Sequence, residues 1–512
     1  MHSMDRNTQN RDGNAAYRHI IKYLGIFGGA HGASTILNIL RTKISSILLG
    51  VAGQSIITLS NRTLQMFSES TGLSIGFSAV RKISDTFENA DPVSIARCIK
   101  VVRSIAFTTG IAGMLLMLIT TPFINDWIFE ESSDYYLPRM MALSPAVLFM
   151  AISNGEIAIL RGTRHLNSIA LYTLLTAAIS LAITVPAYCL MGIGGIFPAI
   201  LATAFVQMCL LLKLTRPHYR YKISPFSLSL LREGVDMIKM GAGYIFASIF
   251  TSLSMWLTCA VLSDIGNDET VGLFSAGFVM VTLLPGMLFA ALDSEYYPRL
   301  SGVAAKNDIC NRMVNEQIEV QLLVQPPMLM AFALAMPILV PLFYRQDFAP
   351  ATAMAQLAMF GMFMRTMAFP ISFITLAKND TVVYVIMEAI YNILFVVLIV
   401  VGYSCKGLIG VGAGIAILHT FDFAMVYAVT RHRYGLKLSK NAIRYFLMQL
   451  PLFTGVIVVS QLCDGGISYW LTGCTCVILS ALATLHILNK QSVMPKSISR
   501  ITGRIKRLFK RK

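Results

Sequence analysis

Long apolar runs separated by short polar stretches take up most of the chain. They fall at about 20–49, 56–80, 105–129, 137–160, 169–190, 193–212, 240–262, 271–292, 320–343, 352–376, 382–403, 408–429, 442–462 and 467–488. Crossing the hydrocarbon of a bilayer as a helix takes about 20 apolar residues. Within lipid every backbone donor and acceptor must be satisfied inside the protein, which single helices achieve and isolated strands do not. The pattern therefore predicts an all-α polytopic membrane protein with about 14 transmembrane helices.

Composition agrees with that reading. Of 512 residues 55% are hydrophobic and 13% charged, against about 25% charged in soluble proteins, which argues against a multidomain soluble enzyme. Lys and Arg number 42 and Asp and Glu 26, a net charge of +16. With the N-terminus on the cytoplasmic side, cations gather at every second loop. Only Arg41, Lys43, Arg62, Arg139, Arg345, Arg365 and Lys406 fall elsewhere, and the opposite loops are acidic, with Asp126, Glu130, Glu131, Asp134, Asp264, Asp268 and Glu269. One miscounted span would invert every later loop and destroy this alternation. Fourteen spans with both termini cytoplasmic are expected.

The first 19 residues are polar, so the first span itself serves as the insertion signal. The segment from Lys490 onward carries nine cations and no acid. That predicts binding to anionic lipid headgroups, each cation contributing about 1 kcal/mol. Nine cysteines without a C-x2-C pair read as small hydrophobes. The sequence contains no P-loop, H-E-x-x-H or dinucleotide fingerprint. No enzyme activity, cofactor, metal or nucleic acid is expected, and the short outer loops leave no room for an external catalytic module.

Landmarks recur at one nearly constant offset along the chain. Ile21-Lys22 answers Ile238-Lys239, Lys82-Ile83-Ser84 answers Arg299-Leu300-Ser301, and Leu160-Arg161-Gly162 answers Leu376-Ala377-Lys378. Gly192-Ile193-Gly194-Gly195-Ile196 answers Gly407-Leu408-Ile409-Gly410-Val411. An even number of spans per repeat gives two halves of like orientation, the parallel arrangement found in transporters that work by alternating access. The domains expected are a cytoplasmic N-terminal tail (1–19), an N-terminal six-helix bundle (20–212) and a cytoplasmic linker (213–233). A C-terminal six-helix bundle (234–432), helices 13 and 14 (433–488) and a basic cytoplasmic tail (489–512) follow.

Within the apolar runs, His31, Ser34, Asn38, Arg41 and Ser45 share one helical face, as do Thr58, Arg62, Gln65, Glu69, Gly72 and Gly76. Polar stripes of this length line a water-accessible cavity or a seam sealed by hydrogen bonds, because unpaired polar groups are costly in hydrocarbon. Arg365 lies halfway along the tenth span, where a cation costs about 3 kcal/mol on insertion scales. Glu388, with Asn392 one turn further on, is a candidate partner; His419 and Asp422 are weaker candidates. Deep cations (Arg41, Lys43, Arg62, Arg365) outnumber deep anions (Glu69, Glu388), which suits an anionic passenger. Lys43 projects about 200° away from Arg41 on a helix, so the two do not face one cavity centre.

Several of these residues occur in a recognisable series: Leu40 to Gly53, Val271-Gly272, Tyr297-Pro298-Arg299-Leu300-Ser301, Gly361, Arg365, Ala377-Lys378 and Glu388. Over about residues 20–435 the chain resembles the bacterial polysaccharide (O-antigen and other lipid-linked oligosaccharide) flippases of the multidrug/oligosaccharidyl-lipid/polysaccharide exporter superfamily. The resemblance implies a V-shaped pair of six-helix bundles plus two further helices. It also implies movement of undecaprenyl-diphosphate-linked oligosaccharide to the outer leaflet without ATP hydrolysis, alongside polysaccharide polymerase and chain-length machinery. By position Arg41, Lys43, Arg62 and Arg365 would hold diphosphate or acidic sugars, with His31, Asn38, Gln65 and Asn392 lining the cavity. Two departures stand out. Ser55 replaces a usual glycine, and Met362 stands where an acidic residue is common, so ion coupling would pass to Glu69, Glu156 or Glu388. A cation-coupled multidrug antiporter of the same superfamily is the alternative.

Overall fold

In the computed structural model, residues 4–490 are described except 73–74, 89–91, 129–132, 225–227, 268, 294–295 and 464–465. The basic tail lies outside the described residues, as do the side chain of His31 and those of the N-terminal tail. Every regular element among the described residues is helical: α1 (Met4–Gly72), α2 (Ile75–Glu88), α3 (Pro92–Ile128), α4 (Ser133–Gly162), α5 (Leu166–Met191), α6 (Ile196–Thr215) and α7 (Leu228–Ile265). They continue with α8 (Thr270–Asp293), α9 (Tyr296–Val303), α10 (Asn307–Phe343), α11 (Ala351–Ala377), α12 (Thr381–Tyr434), α13 (Lys440–Leu462) and α14 (Ile467–Lys490).

Ten segments among the described residues are long and apolar enough to cross a membrane. Three of them hold two crossings each. Gly32–Gly72 is broken at Gly50 (φ 67°, ψ −164°), Asn167–Thr215 at Gly192 and Thr381–Tyr434 at Gly407. Adding the shorter apolar stretch Thr270–Leu283 brings the crossings to fourteen, the number expected. The chain is a multi-pass α-helical membrane protein. The run at 56–80 lies on α1 and α2, with 73–74 outside the described residues. The amphipathic α2 buries Ala79 and Ile83 and exposes Lys82. The helices α3, α7 and α10 begin about a dozen residues before their apolar runs, because charged turns rich in helix formers extend them.

The sequence repeat is present in the backbone. Gly192 (φ 55°, ψ −134°) and Gly407 (φ 56°, ψ −141°), equivalent in the repeat, have the same left-handed conformation. The non-glycine residues Arg164 and Asn379, both at φ 59°, repeat at the same spacing. So do the starts of α3 and α10, the starts of α5 and α12, and the ends of α4 and α11. The two helical hairpins close on small residues. A Cβ on Gly195 would stand 2.3 Å from the Ala187 carbonyl oxygen, and one on Gly410 would stand 1.8 Å from that of Gly402. Ala187 and Gly402 are themselves equivalent in the repeat, as are Gly195 and Gly410.

The fold divides into two compact units, Met1–Ser275 with Leu342–Asp347, and Ala276–Pro341 with Phe348–Lys512. The division lies within α8 and not in the linker at 213–233. Side-chain bonds place α7 with the helices before it. Ser248 Oγ donates to Glu69 (2.7 Å), Trp256 Nε1 to Thr63 Oγ1 (3.1 Å) and Ser263 Oγ to the Ile128 carbonyl (3.4 Å). The linker is also bound to the first unit, since the Ser224 amide donates to Ser104 Oγ. A cluster of Ala79, Ile83, Ile99, Val102, Ile105, Ala158 and Ile159 forms its core.

In the second unit, α13 and α14 stand outside the repeat and are fastened to it by buried polar bonds. Tyr469 Oη donates to the Leu334 carbonyl (2.6 Å) and accepts from Gln356 Nε2 (2.9 Å). Thr484 Oγ1 donates to the Leu323 carbonyl (2.8 Å). Phe363 stacks on Phe446 and Phe453, at 5.3 and 4.8 Å between centroids. Buried hydrogen bonds suit this setting, since apolar contact alone gives helices little preference for one another over lipid.

Candidate functional sites in the two units

The break at Gly50 folds the α1 chain so that Arg41 and Ser45 on one arm and Gln54 and Asn61 on the other border one cavity of about 330 Å³. Its other walls are Met150 of α4, Thr184 and Tyr188 of α5, and Ile200, Thr203, Ala204 and Gln207 of α6. Tyr188 lies within electrostatic range of the Arg41 guanidinium. No hydrogen bond or ion pair of that guanidinium occurs among the described residues. Gln54 Oε1 and Thr203 Oγ1 are buried and have no hydrogen-bond partner among those residues. Gln207 Nε2 reaches Ser180 Oγ at only 3.4 Å.

The other two expected cations of the first unit, Lys43 and Arg62, each make a hydrogen bond. Lys43 Nζ donates to the Tyr344 carbonyl at 2.5 Å, and Arg41 and Lys43 do point to different surroundings. Arg62 Nη1 donates to Gln65 Oε1 at 3.1 Å. Asn38 is exposed and is not among the cavity's lining residues. Among the acids, Glu69 accepts from Ser248 of α7. Glu156 is 1% exposed in a two-pronged ion pair with Arg103, at 2.6 and 2.9 Å. The same guanidinium donates to the Arg220 carbonyl at 2.8 Å and lies over the Tyr221 ring. This pair holds α3, α4 and the linker together. As a candidate for ion coupling Glu156 is occupied, because freeing it would strand a buried arginine.

In the second unit Arg365 of α11 lies over the rings of Phe289 and Phe369, 5.7 and 5.1 Å from their centroids. It interacts electrostatically with Glu388, Tyr391, His419 and Asp422 of α12, and Glu388 interacts with Asp422. The expected partners of Arg365 are therefore gathered around it, although no ion pair closes among these described residues. Asn392 is buried one turn beyond Glu388 and donates to its backbone carbonyl at 2.8 Å. His419 is 3% exposed, has no partner for Nδ1 among the described residues, and packs so closely on Gly361 that a Cβ there would lie 2.9 Å from its ring. A deep cation, two carboxylates and an imidazole form one charged cluster.

Gln54, Thr184, Tyr188, Thr203 and Gln207 were not singled out from sequence. The pairs Thr184–Tyr188 and Thr203–Gln207 each lie four apart on otherwise apolar helices, and that spacing is the signal that could have found them.

The fold is shared with several solved membrane proteins. The chain is similar in structure to the lipid II flippase MurJ in an inward closed conformation, with TM-score 0.69, 15% identity, and 91% of this chain and 99% of that one covered. It is similar to a multidrug resistance MATE family transporter in an inward-facing conformation, with TM-score 0.59, 14% identity and 78% and 94% covered. A MOP superfamily transporter from Pyrococcus furiosus, described as having a binding pocket of reverse polarity, matches with TM-score 0.56, 14% identity and 81% and 96% covered. At such identities these likenesses establish the fold. No curated protein matches the chain in sequence. Residues 94–353, about half of the chain, match the family described as polysaccharide biosynthesis protein, and the chain belongs to that family.

Proposed function

We propose that the protein is a flippase that carries undecaprenyl-diphosphate-linked oligosaccharide repeat units from the cytoplasmic to the outer leaflet of the bacterial inner membrane. The product would feed surface polysaccharide biosynthesis such as that of O-antigen and lipopolysaccharide. Family membership together with a transporter fold supports this reading. The observation that carries the anionic passenger is Arg41, a deep guanidinium bordering a cavity without an ion-pair partner among the described residues. A half-buried cation without a carboxylate is costly, and an anionic ligand offsets that cost.

In this mechanism the headgroup enters from the cytoplasmic side while the polyprenyl tail stays in the bilayer, and rocking between two states carries it across. Arg41 and Arg365 bind it; Lys43 and Arg62 act through the groups they hold. Glu388, in the cluster with Asp422 and Arg365, is the coupling group, since a ligand or ion shifts a two-state equilibrium only by its difference in affinity for the two states. Polysaccharide polymerase and chain-length proteins would take the product. The basic tail rests on anionic lipid, with both termini cytoplasmic.

Cells depleted of the protein test the reading. Accumulation of lipid-linked repeat units on the cytoplasmic leaflet, with loss of surface polymer and unchanged drug sensitivity, is the expected result. The acids around Arg365 favour one second reading, a cation-coupled drug antiporter. Normal polymer with raised drug sensitivity would select it.

A further inference from the structure

The cavity of the first unit has a chemistry narrower than "anionic". We infer that it is a subsite for one carboxylate-bearing sugar ring, with the carboxylate on Arg41 and the ring hydroxyls on Gln54, Thr203 and Gln207. The ring's origin in the transported oligosaccharide rests on the flippase reading; the site itself rests on three observations.

The first is size. About 330 Å³ is the volume of roughly eleven water molecules at about 30 Å³ each. That is far more than a bare anion fills, and it accommodates a pyranose ring with its substituents. The second is charge. Arg41 is the one Lys, Arg, Asp, Glu or His among the described lining residues; the rest are hydroxyls, amides and apolar groups. One guanidinium balances one carboxylate in a two-pronged pair. A diphosphate would bring more negative charge than the site can neutralise.

The third is the demand for donors. Gln54 Oε1 is buried without a partner among the described residues, and an amide oxygen can only accept. A carboxylate, chloride or fully ionised phosphate offers it nothing, whereas a sugar hydroxyl donates to it and can also meet the unpartnered Thr203 hydroxyl. The second unit does not duplicate this arrangement. Carried along the repeat, the cavity residues Met150, Ala204 and Gln207 become Arg365, His419 and Asp422.

The test uses the full-length protein in lipid nanodiscs, with sodium glucuronate as probe and saturation-transfer NMR as readout. Glucuronate should receive saturation from the protein, glucose should bind at least about tenfold more weakly, and inorganic phosphate should not displace glucuronate. Arg41→Ala should weaken glucuronate binding at least about tenfold, the scale of a lost hydrogen bond to a charged group, and Arg41→Lys should keep part of it. Ala204→Phe fills the space without touching the charge and should also abolish binding, which covers the case of an unstable Arg41→Ala. Unchanged binding in both variants would overturn the subsite, and displacement by phosphate would reduce it to a simple anion site. Leaflet distribution of lipid-linked units separates the two readings. Normal transport without glucuronate binding removes only the subsite, and intact binding without transport removes only the flippase.

Discussion

The two halves of the repeat solve the same structural problems with different chemistry. Just after α6, His218 lies tilted against His165 at 3.9 Å between ring centroids, and Tyr219 lies 6.2 Å from His165. At the three equivalent positions of the second half, Arg433 donates to Asp380 at 2.6 Å and Tyr434 Oη donates to the same oxygen at 2.7 Å. Both trios tie the end of a hairpin to its beginning, one with aromatic imidazoles and the other with an ion pair. Deeper in, Arg103 and Glu156 form a buried ion pair where the second half has Ile318 and Ile371, each fully buried. The scaffold requires contact at these places and is indifferent to its polarity. Charge therefore differs between the halves, with Arg41 beside a cavity in the first unit and Arg365, Glu388 and Asp422 clustered in the second.

The strongest test of this division removes the two deep arginines. Arg41→Ala and Arg365→Ala should each abolish transport while membrane levels stay near wild type, and the lysine variants should recover part of it. A transport assay with quantified protein decides the matter. If both alanine variants transport normally, the cationic sites have no role in moving the passenger.

The buried pair comes next. Glu156→Ala strands Arg103 and should cost about 3–5 kcal/mol, visible as a large drop in thermal midpoint. Arg103→Ile with Glu156→Ile copies the second half and should recover most of the loss. It will not recover all of it, because the bond to the Arg220 carbonyl is gone. A double variant no better than the single one would break the equivalence of the halves.

The hairpin tips should behave alike. Gly192→Ala and Gly407→Ala each place a Cβ at positive φ, costing about 1–2 kcal/mol, so their thermal midpoints should fall by similar amounts. Unequal losses would show that one hairpin is supported differently from the other.

The smallest effect is a difference in acid response between the two latches. Burial, and next the neighbouring His218, hold the His165 imidazole below its ordinary 6.5. A base lowered in the fold contributes stability above its unfolded value, and loses it as pH falls through the folded one. The hydrogen bond from Tyr434, and then Arg433, holds Asp380 below its ordinary 3.8. By the same sign its contribution persists above that value and disappears only in stronger acid. Amide protection, measured relative to the intrinsic exchange rate at each pH, should therefore fall first at residues 216–222 below about pH 6.5, with residues 431–437 still protected. Simultaneous loss would contradict the assignment.

Much of the fold is legible in the sequence. Apolar runs, glycines at hairpin tips and the constant offset of the repeat are local signals, and lipid as solvent leaves a helix few alternatives. The early starts of α3, α7 and α10 were not legible, because their apolar runs begin only about a dozen residues later. Of the candidate site residues, Arg41 and the group around Arg365 lie where a helical face and a costly deep charge suggested. Glu156 and Lys43 are bonded to partners 53 and 301 residues away, which no local pattern reveals.

The sequence alone thus determined a fourteen-crossing helical protein built on a parallel repeat, with deep cations outnumbering deep acids, because period, length and burial cost are properties of single segments. Tertiary structure decided which of those charges are already bonded and which border a cavity. Pairing depends on where distant helices meet. Arg103 reaches Glu156 and Lys43 reaches the Tyr344 carbonyl only once α3, α4 and the segment after α10 are packed. Arg41 is left beside the cavity because, among the described residues, that packing brings no carboxylate to it.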